Sequence, residues 1–209
     1  MIRETPYNPL DKRNLGTSVA EALPARPAMP LGGLEKFSGA GIYAIYYTGD
    51  FEVYRPLARR EANEVSRTPI YVGKAAPPGG RKGGFGLDDP SSTALYNRLS
   101  EHAESIAAAS NLRIDDFSCR YLVVDEIWIP LGGSLLIAKF APVWNTLIDG
   151  FGNHDPGKGR YNGLRPRWDV LHPGRGWAEK CRERSESAMQ IGHDVVEYFR
   201  AYPIPAGNG

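Results

Sequence analysis

Cysteine is scarce in this chain: Cys119 and Cys181 are the two cysteines among 209 residues, too few for a disulfide framework and without the CxxC spacing of a zinc site. A reducing cytosol is the expected compartment. Long apolar runs are missing as well, and no basic stub leads into an apolar segment near the start, so neither a membrane span nor a secretory leader is read. Net charge is almost absent, with 25 Lys and Arg against 24 Asp and Glu. That balance hides opposed blocks. Residues 55–82 carry seven basic residues against Glu61 and Glu64, 153–184 carry eight against four acids, and 88–126 hold eight acids against Arg98, Arg113 and Arg120. Two basic segments around an acidic middle can still offer one cationic face to a polyanion, although ordinary solvated surface accounts for either block alone.

Glycine and proline are plentiful, 24 and 17, which predicts short elements joined by long connections. The length suits one domain with embellishments: an N-terminal arm at 1–38, then a domain at 39–209 with an insertion at 50–68 and a C-terminal extension at 148–209. The arm holds a short helical stretch, Ser18 to Leu23. GAGIYAIYYTGDFEVY (39–54) reads as two β runs around a Thr48-Gly49-Asp50 turn, and PIYVG (69–73) resumes as a strand. A helix follows the capping residues Ser91 to Thr93 and runs to about Ser110, with Leu95, Leu99, His102 and Ile106 on one stripe and Arg98 at its edge. FSCRYLVVD (117–125) is expected as a central strand. A second helix follows Gly132-Gly133 and stops near Pro142. The last carries Met189, Val195, Val196 and Phe199 and is closed by Pro203.

Tyr43 and Tyr71 thus fall on neighbouring strands, Arg98 and His102 one helical turn apart, and Asn145 at the end of APVWN (141–145). Taken singly each is ordinary, since tyrosines in strands are usually core aromatics and a histidine on an apolar stripe is usually a buried, satisfied one. Their joint order points to phosphodiester chemistry. Arg81 and Lys82, in the Gly/Pro-rich loop 75–90, could lie along a phosphate backbone, because glycine lets the chain approach closely. Arg160 in the second basic block is a further candidate for DNA contact. So is Arg175, set in HPGR between Trp168 and Trp177, where it would touch DNA or a dimer seam. Asn153-His154-Asp155 looks like a metal tripeptide but has no partner motif, and reads as structural.

GIY (41–43), YVG (71–73), Arg98 with His102, and the closing Pro142-x-x-Asn145 together resemble the GIY-YIG nucleases, with the order of elements kept. DFSCR (116–120), DGFGNH (149–154) and WDVLHPGRGWAEKC (168–181) are similar to segments of that family's type II restriction endonucleases that cleave the palindrome CCGCGG. The similarity covers most of the chain from Gly39 onward. The resemblance implies an α+β fold, with a small antiparallel β-sheet flanked by helices, long loop insertions and an N-terminal arm. It also implies a homodimer on palindromic double-stranded DNA, Mg²⁺-dependent cleavage, and a place in the bacterial cytoplasm.

Hydrolysis requires water to lose a proton as it attacks phosphorus, while charge gathering on the phosphate oxygens is offset. Tyr43 is the expected base. A free tyrosine has a pKa of about 10, and lowering it by three units takes about 4 kcal/mol. A cation at about 4 Å supplies roughly that at an effective dielectric near 20. Lys74 and Arg98 are the candidates, and Arg98 would also hold the phosphate in a fork that lysine cannot copy. Tyr71 and His102 would hydrogen-bond the reacting groups, and Asn145 would brace the site or a phosphate.

One departure stands out. The family places a metal-binding Glu three residues before the Leu-Ile pair of the second helix, and here that position is Gly133. A hard cation needs oxygen ligands, and glycine brings only its carbonyl. The resemblance therefore implies an impaired nuclease, an inactivated form in which a change from Glu silences a toxic enzyme. The alternative is a non-catalytic, sequence-specific DNA-binding protein that kept the fold.

Overall fold

Four strands make one antiparallel sheet: β1 (Met29–Pro30), β2 (Gly41–Tyr47), β3 (Tyr71–Ala75) and β4 (Phe117–Val123), in the spatial order β1-β4-β2-β3. The computed structural model describes Asn8, Asp11, Asn14, Ser18 and residues 21–58, 68–77 and 92–204. Between 94 and 201 lie five α-helices, α1 (Ala94–Ala108), α2 (Ile129–Phe140), α3 (Val143–Thr146), α4 (Arg167–Leu171) and α5 (Ala188–Ala201). The expected α+β class is the observed one. No helix among the described residues is long and apolar enough to cross a membrane.

All seven residues of β2 are buried, because both faces of this strand are covered. Tyr43, Ile45 and Tyr47 join a core with Leu95, Leu99 and Ile106 of α1, while Ile42, Ala44 and Tyr46 pack with Ile129 and Leu136 of α2. A strand covered on two sides reads as a continuous apolar run rather than an alternating one, which is the pattern of GIYAIYY. β4 is central, as expected, and reaches Val123. The stripe Leu95, Leu99, His102 and Ile106 is the buried face of α1.

Several expectations are corrected. Phe51 to Tyr54 is not a second β run: Glu52–Tyr54 forms a single 3₁₀ turn. The Tyr47 hydroxyl accepts the Phe51 amide at 2.7 Å, and Tyr47 pairs instead with Phe117 of β4, so the chain turns inward and buries Tyr54. Gly132 and Gly133 do not precede the second helix but lie buried within it, since it starts at Ile129 with Pro130 in the first turn, where a missing N–H costs nothing. Met189 is 82% exposed; the buried face of α5 is Ile191, Gly192 and Val195, and Ser187 with Gln190 forms a capping box. Within the expected arm, Met29 and Pro30 pair with Cys119 and Ser118 at the edge of the sheet. Ser18, Glu21 and Ala22 are helical as expected, and part of the predicted insertion, 59–67, lies outside the described residues.

Candidate active site

Tyr43 sits in the middle of the sheet, opposite Gly73 of β3 and Tyr121 of β4. Its ring lies over Gly73, where an added Cβ would fall 2.2 Å from the phenol oxygen; the glycine of YVG is what leaves room for the tyrosine of GIY. The Tyr43 hydroxyl meets His102 Nε2 at 2.6 Å. Tyr71, the first residue of β3, packs its ring 6.3 Å from Tyr43 and edge-on to His102 at 5.1 Å. Arg98, one turn before His102, brings its guanidinium to the same place, near enough to both phenols to favour their ionised forms. The four residues expected to converge do so.

A loop from the C-terminal extension completes the cluster. Phe151 stacks on His102 with ring centres 4.5 Å apart and planes 15° apart. The Gly152 carbonyl accepts from Arg98 Nη2 at 2.6 Å. Arg98 Nη1 donates to Glu101 at 2.8 Å and to His154 Nε2 at 2.5 Å. Gly152 cannot carry a side chain without crowding, since a Cβ would lie 2.9 Å from the Tyr71 hydroxyl and 3.0 Å from Arg98 Nη2. Beside Arg98 opens a cavity of about 310 Å³, lined by Glu101, Glu104, the 151–155 loop and Trp177. Tyr43 and His102 lie beneath it, fully buried; the Arg98 side chain is 22% exposed and Tyr71 is half-buried.

Burial governs the protonation of this cluster. It raises Tyr43 well above the ordinary tyrosine value, Tyr71 adds to the rise, and the guanidinium of Arg98 only partly opposes it. Tyr71 is raised by burial too, against the nearby guanidinium of Arg98. His102 is pushed well below the ordinary histidine value, first by burial and then by Arg98. Both phenols are therefore protonated at neutral pH and the imidazole is neutral. The expected preformed phenolate at Tyr43 does not hold, because desolvating the charge outweighs the cation.

Lys74 is placed away from the phenols. It pairs with Ile42 and so projects from the opposite face of the sheet to Gly73 and Tyr43, where its stem runs beside Gly133. An added Cβ at Gly133 would lie 3.5 Å from Lys74 Cδ, an ordinary contact, so the helix has room for a side chain there. The neighbour now present is a cation. Among the described residues no group of three or more His, Cys, Asp or Glu could hold a metal, and the donors at this position do not fit Mg²⁺.

Asn145 braces the sheet: its Oδ1 accepts the Val72 amide and its Nδ2 donates to the Val72 carbonyl, both at 2.8 Å. Arg175 is corrected. It is no surface contact, for its side chain is 4% exposed and locked to Asp169 by bonds of 2.7 and 2.6 Å. Three more arginines of the second basic block are held by protein partners: Arg165 donates to the carbonyls of Ala178 and Glu179, Arg167 pairs with Asp194 and Glu186, and Arg184 with Glu186, while Lys158, Lys180 and Arg182 are exposed. Arg160 is exposed. Arg81 and Lys82 lie outside the described residues. His154, set aside in the sequence as structural, is the residue that spacing alone missed; its clue was its place in DGFGNH, one of the segments carrying the family resemblance.

No curated protein matches this chain. A family model described as the Eco29kI GIY-YIG domain matches residues 35–199, a span that holds all five motif elements and the loop that completes the cluster. The chain belongs to the Eco29kI-type GIY-YIG family of restriction endonucleases.

Proposed function

We propose that the chain is a type II restriction endonuclease acting as a homodimer on palindromic duplex DNA, with CCGCGG as its site, and that Gly133 leaves this form impaired. The observation that carries the reading is the meeting of Tyr43, Tyr71, Arg98 and His102 in one cluster, with Arg98 at the wall of an open cavity. Arg98, which lines the cavity, and half-buried Tyr71 beside it are the groups that meet the phosphate. Arg98 offsets the charge that gathers on the non-bridging oxygens. The proton released by the attacking water passes to a phenol oxygen as the phenol's own proton moves on, ending at neutral His102 Nε2. A Tyr43 hydroxyl that donates to that nitrogen is already aligned for the transfer. Asn145 holds β3, and with it Tyr71, in register. Divalent-metal chemistry, which in this family would polarise the phosphate, awaits a carboxylate at 133, and no step above runs through it.

The test is a supercoiled plasmid with one CCGCGG site, incubated with the chain and with its Gly133→Glu variant, with and without Mg²⁺. The variant is expected to give full-length linear DNA only with Mg²⁺, while the chain as it stands gives little. A Gly133→Glu protein that folds and leaves the plasmid intact would refute the reading. The cation beside Gly133 favours a second one, a DNA-binding protein without catalysis. That reading predicts salt-dependent binding of the CCGCGG duplex with no cutting by either form.

A further inference from the structure

Arg175 has an unusual set of partners for a residue outside the GIY-YIG catalytic motifs. Its Nη1 donates to the carbonyls of Phe151 at 3.0 Å and Asn153 at 3.2 Å, and its Nη2 to that of Gly150 at 2.9 Å. Asp169 of α4 fixes the guanidinium in a two-pronged pair, and the rings of Trp168 and Trp177 lie at 4.6 and 4.8 Å from its centre. The carbonyl between these three, that of Gly152, turns the other way and binds Arg98. Four successive carbonyls of one loop are thus divided between two guanidiniums, three on Arg175 and one on Arg98. The same stretch stacks Phe151 on His102.

We propose that Arg175 is a positioning residue for the nuclease site. By pinning Gly150, Phe151 and Asn153 it presents the Gly152 carbonyl to Arg98 Nη2 and the Phe151 ring to His102. Arg98 would otherwise end on Glu101 and His154 alone, whose side chains are 46% and 63% exposed and hold it loosely. With Nη2 tied to a fixed carbonyl, the guanidinium keeps one orientation, and Nη1, whose partners are exchangeable, is left to the phosphate. Lysine at 175 keeps the charge but cannot reach three carbonyls and a carboxylate with a planar fork. This role rests on the nuclease reading for its purpose, but its geometry can be measured without any cleavage.

The measurement is the ¹⁵N-¹H spectrum of the arginine side chains in the full chain. A fixed Arg98 should show separate, slowly exchanging Nη protons in the unaltered protein; a single averaged signal there would overturn the proposal at once. In Arg175→Lys, or in Asp169→Asn if the first variant does not fold, the Arg98 signals should merge while the backbone spectrum away from 150–155 stays in place. Retention of the separate signals in a folded variant would equally reject it. In the Gly133→Glu background, Arg175→Lys should lower kcat at least tenfold with DNA affinity changed less than threefold, and should cost nothing further once Arg98→Lys is present. Equal losses with and without Arg98 would mean a structural role only. If Gly133→Glu does not cut, the nuclease reading falls, and the Arg98 signals still decide the positioning.

Discussion

Tyr43 meets His102 at 2.6 Å, and Tyr54 meets His172 at 2.7 Å; both pairs are buried, both histidines are driven neutral by burial, and both lie in the same aromatic core. Yet only one of them is a candidate for chemistry. The second pair itself is satisfied by protein partners: the Tyr54 oxygen accepts from Trp144 Nε1 at 2.9 Å, and His172 Nδ1 donates to Asn111 at 3.0 Å. The loop is closed. Around the first pair stand a second phenol, a guanidinium with exposed partners, and a cavity. A buried tyrosine and histidine in contact are thus no signature of catalysis. What marks the site is the cation beside the pair and the route from it to solvent.

The comparison is broken most severely by removing that cation. In the Gly133→Glu background, Arg98→Ala should reduce single-turnover cleavage by about 10²–10³-fold, whereas Tyr54→Phe should leave the rate per folded molecule within a few-fold. Comparable losses from the two would erase the distinction. Stability should show the reverse order. Tyr54→Phe strands Trp144 Nε1 and His172 Nε2 without partners and should cost about 2–3 kcal/mol in urea unfolding, against about 1 kcal/mol for Tyr43→Phe.

Acid should find the second pair. Burial holds His172 down at about 3 in the folded protein, while in the unfolded chain it titrates near 6.5. Below that value the unfolded state binds the extra proton, so stability drops as pH falls from 6.5 toward 3, by about 2 kcal/mol at pH 5 from this residue alone. His102 contributes with the same sign. Urea midpoints at pH 7 and pH 5 check this, and a His172→Gln protein that folds should have a shallower pH slope. The smallest change belongs to the exposed histidine. His154→Ala should alter stability by less than about 0.5 kcal/mol and duplex affinity by only a few-fold, measured at two salt concentrations.

The sequence disclosed the first cluster and concealed the second for the same reason. Tyr43, Tyr71, Arg98, His102 and Asn145 follow one another at spacings that a sheet and a helix translate directly into one place. Tyr54, Asn111, Trp144 and His172 have no such regularity, and Tyr54 even reads as a strand residue until the Tyr47 hydroxyl is seen capturing the Phe51 amide. Arg175 was legible as a basic residue among aromatics but not as a buried one, because its burial depends on Asp169, six residues earlier, facing it across a turn. Lys74 was misjudged by one residue of alternation, which sends it to the far face of the sheet. Gly133 was legible as an absence, and the structure adds that its nearest neighbour is a cation.

Asn145 has a second consequence. β3 ends the sheet, and an unpaired rim of backbone donors and acceptors invites a strand from another molecule. By offering an amide to both the N–H and the C=O of Val72, Asn145 impersonates that missing strand along part of its length. Two copies of this protein cannot zip together there without first evicting the side chain. The residue that steadies the strand of Tyr71 also keeps the sheet from growing.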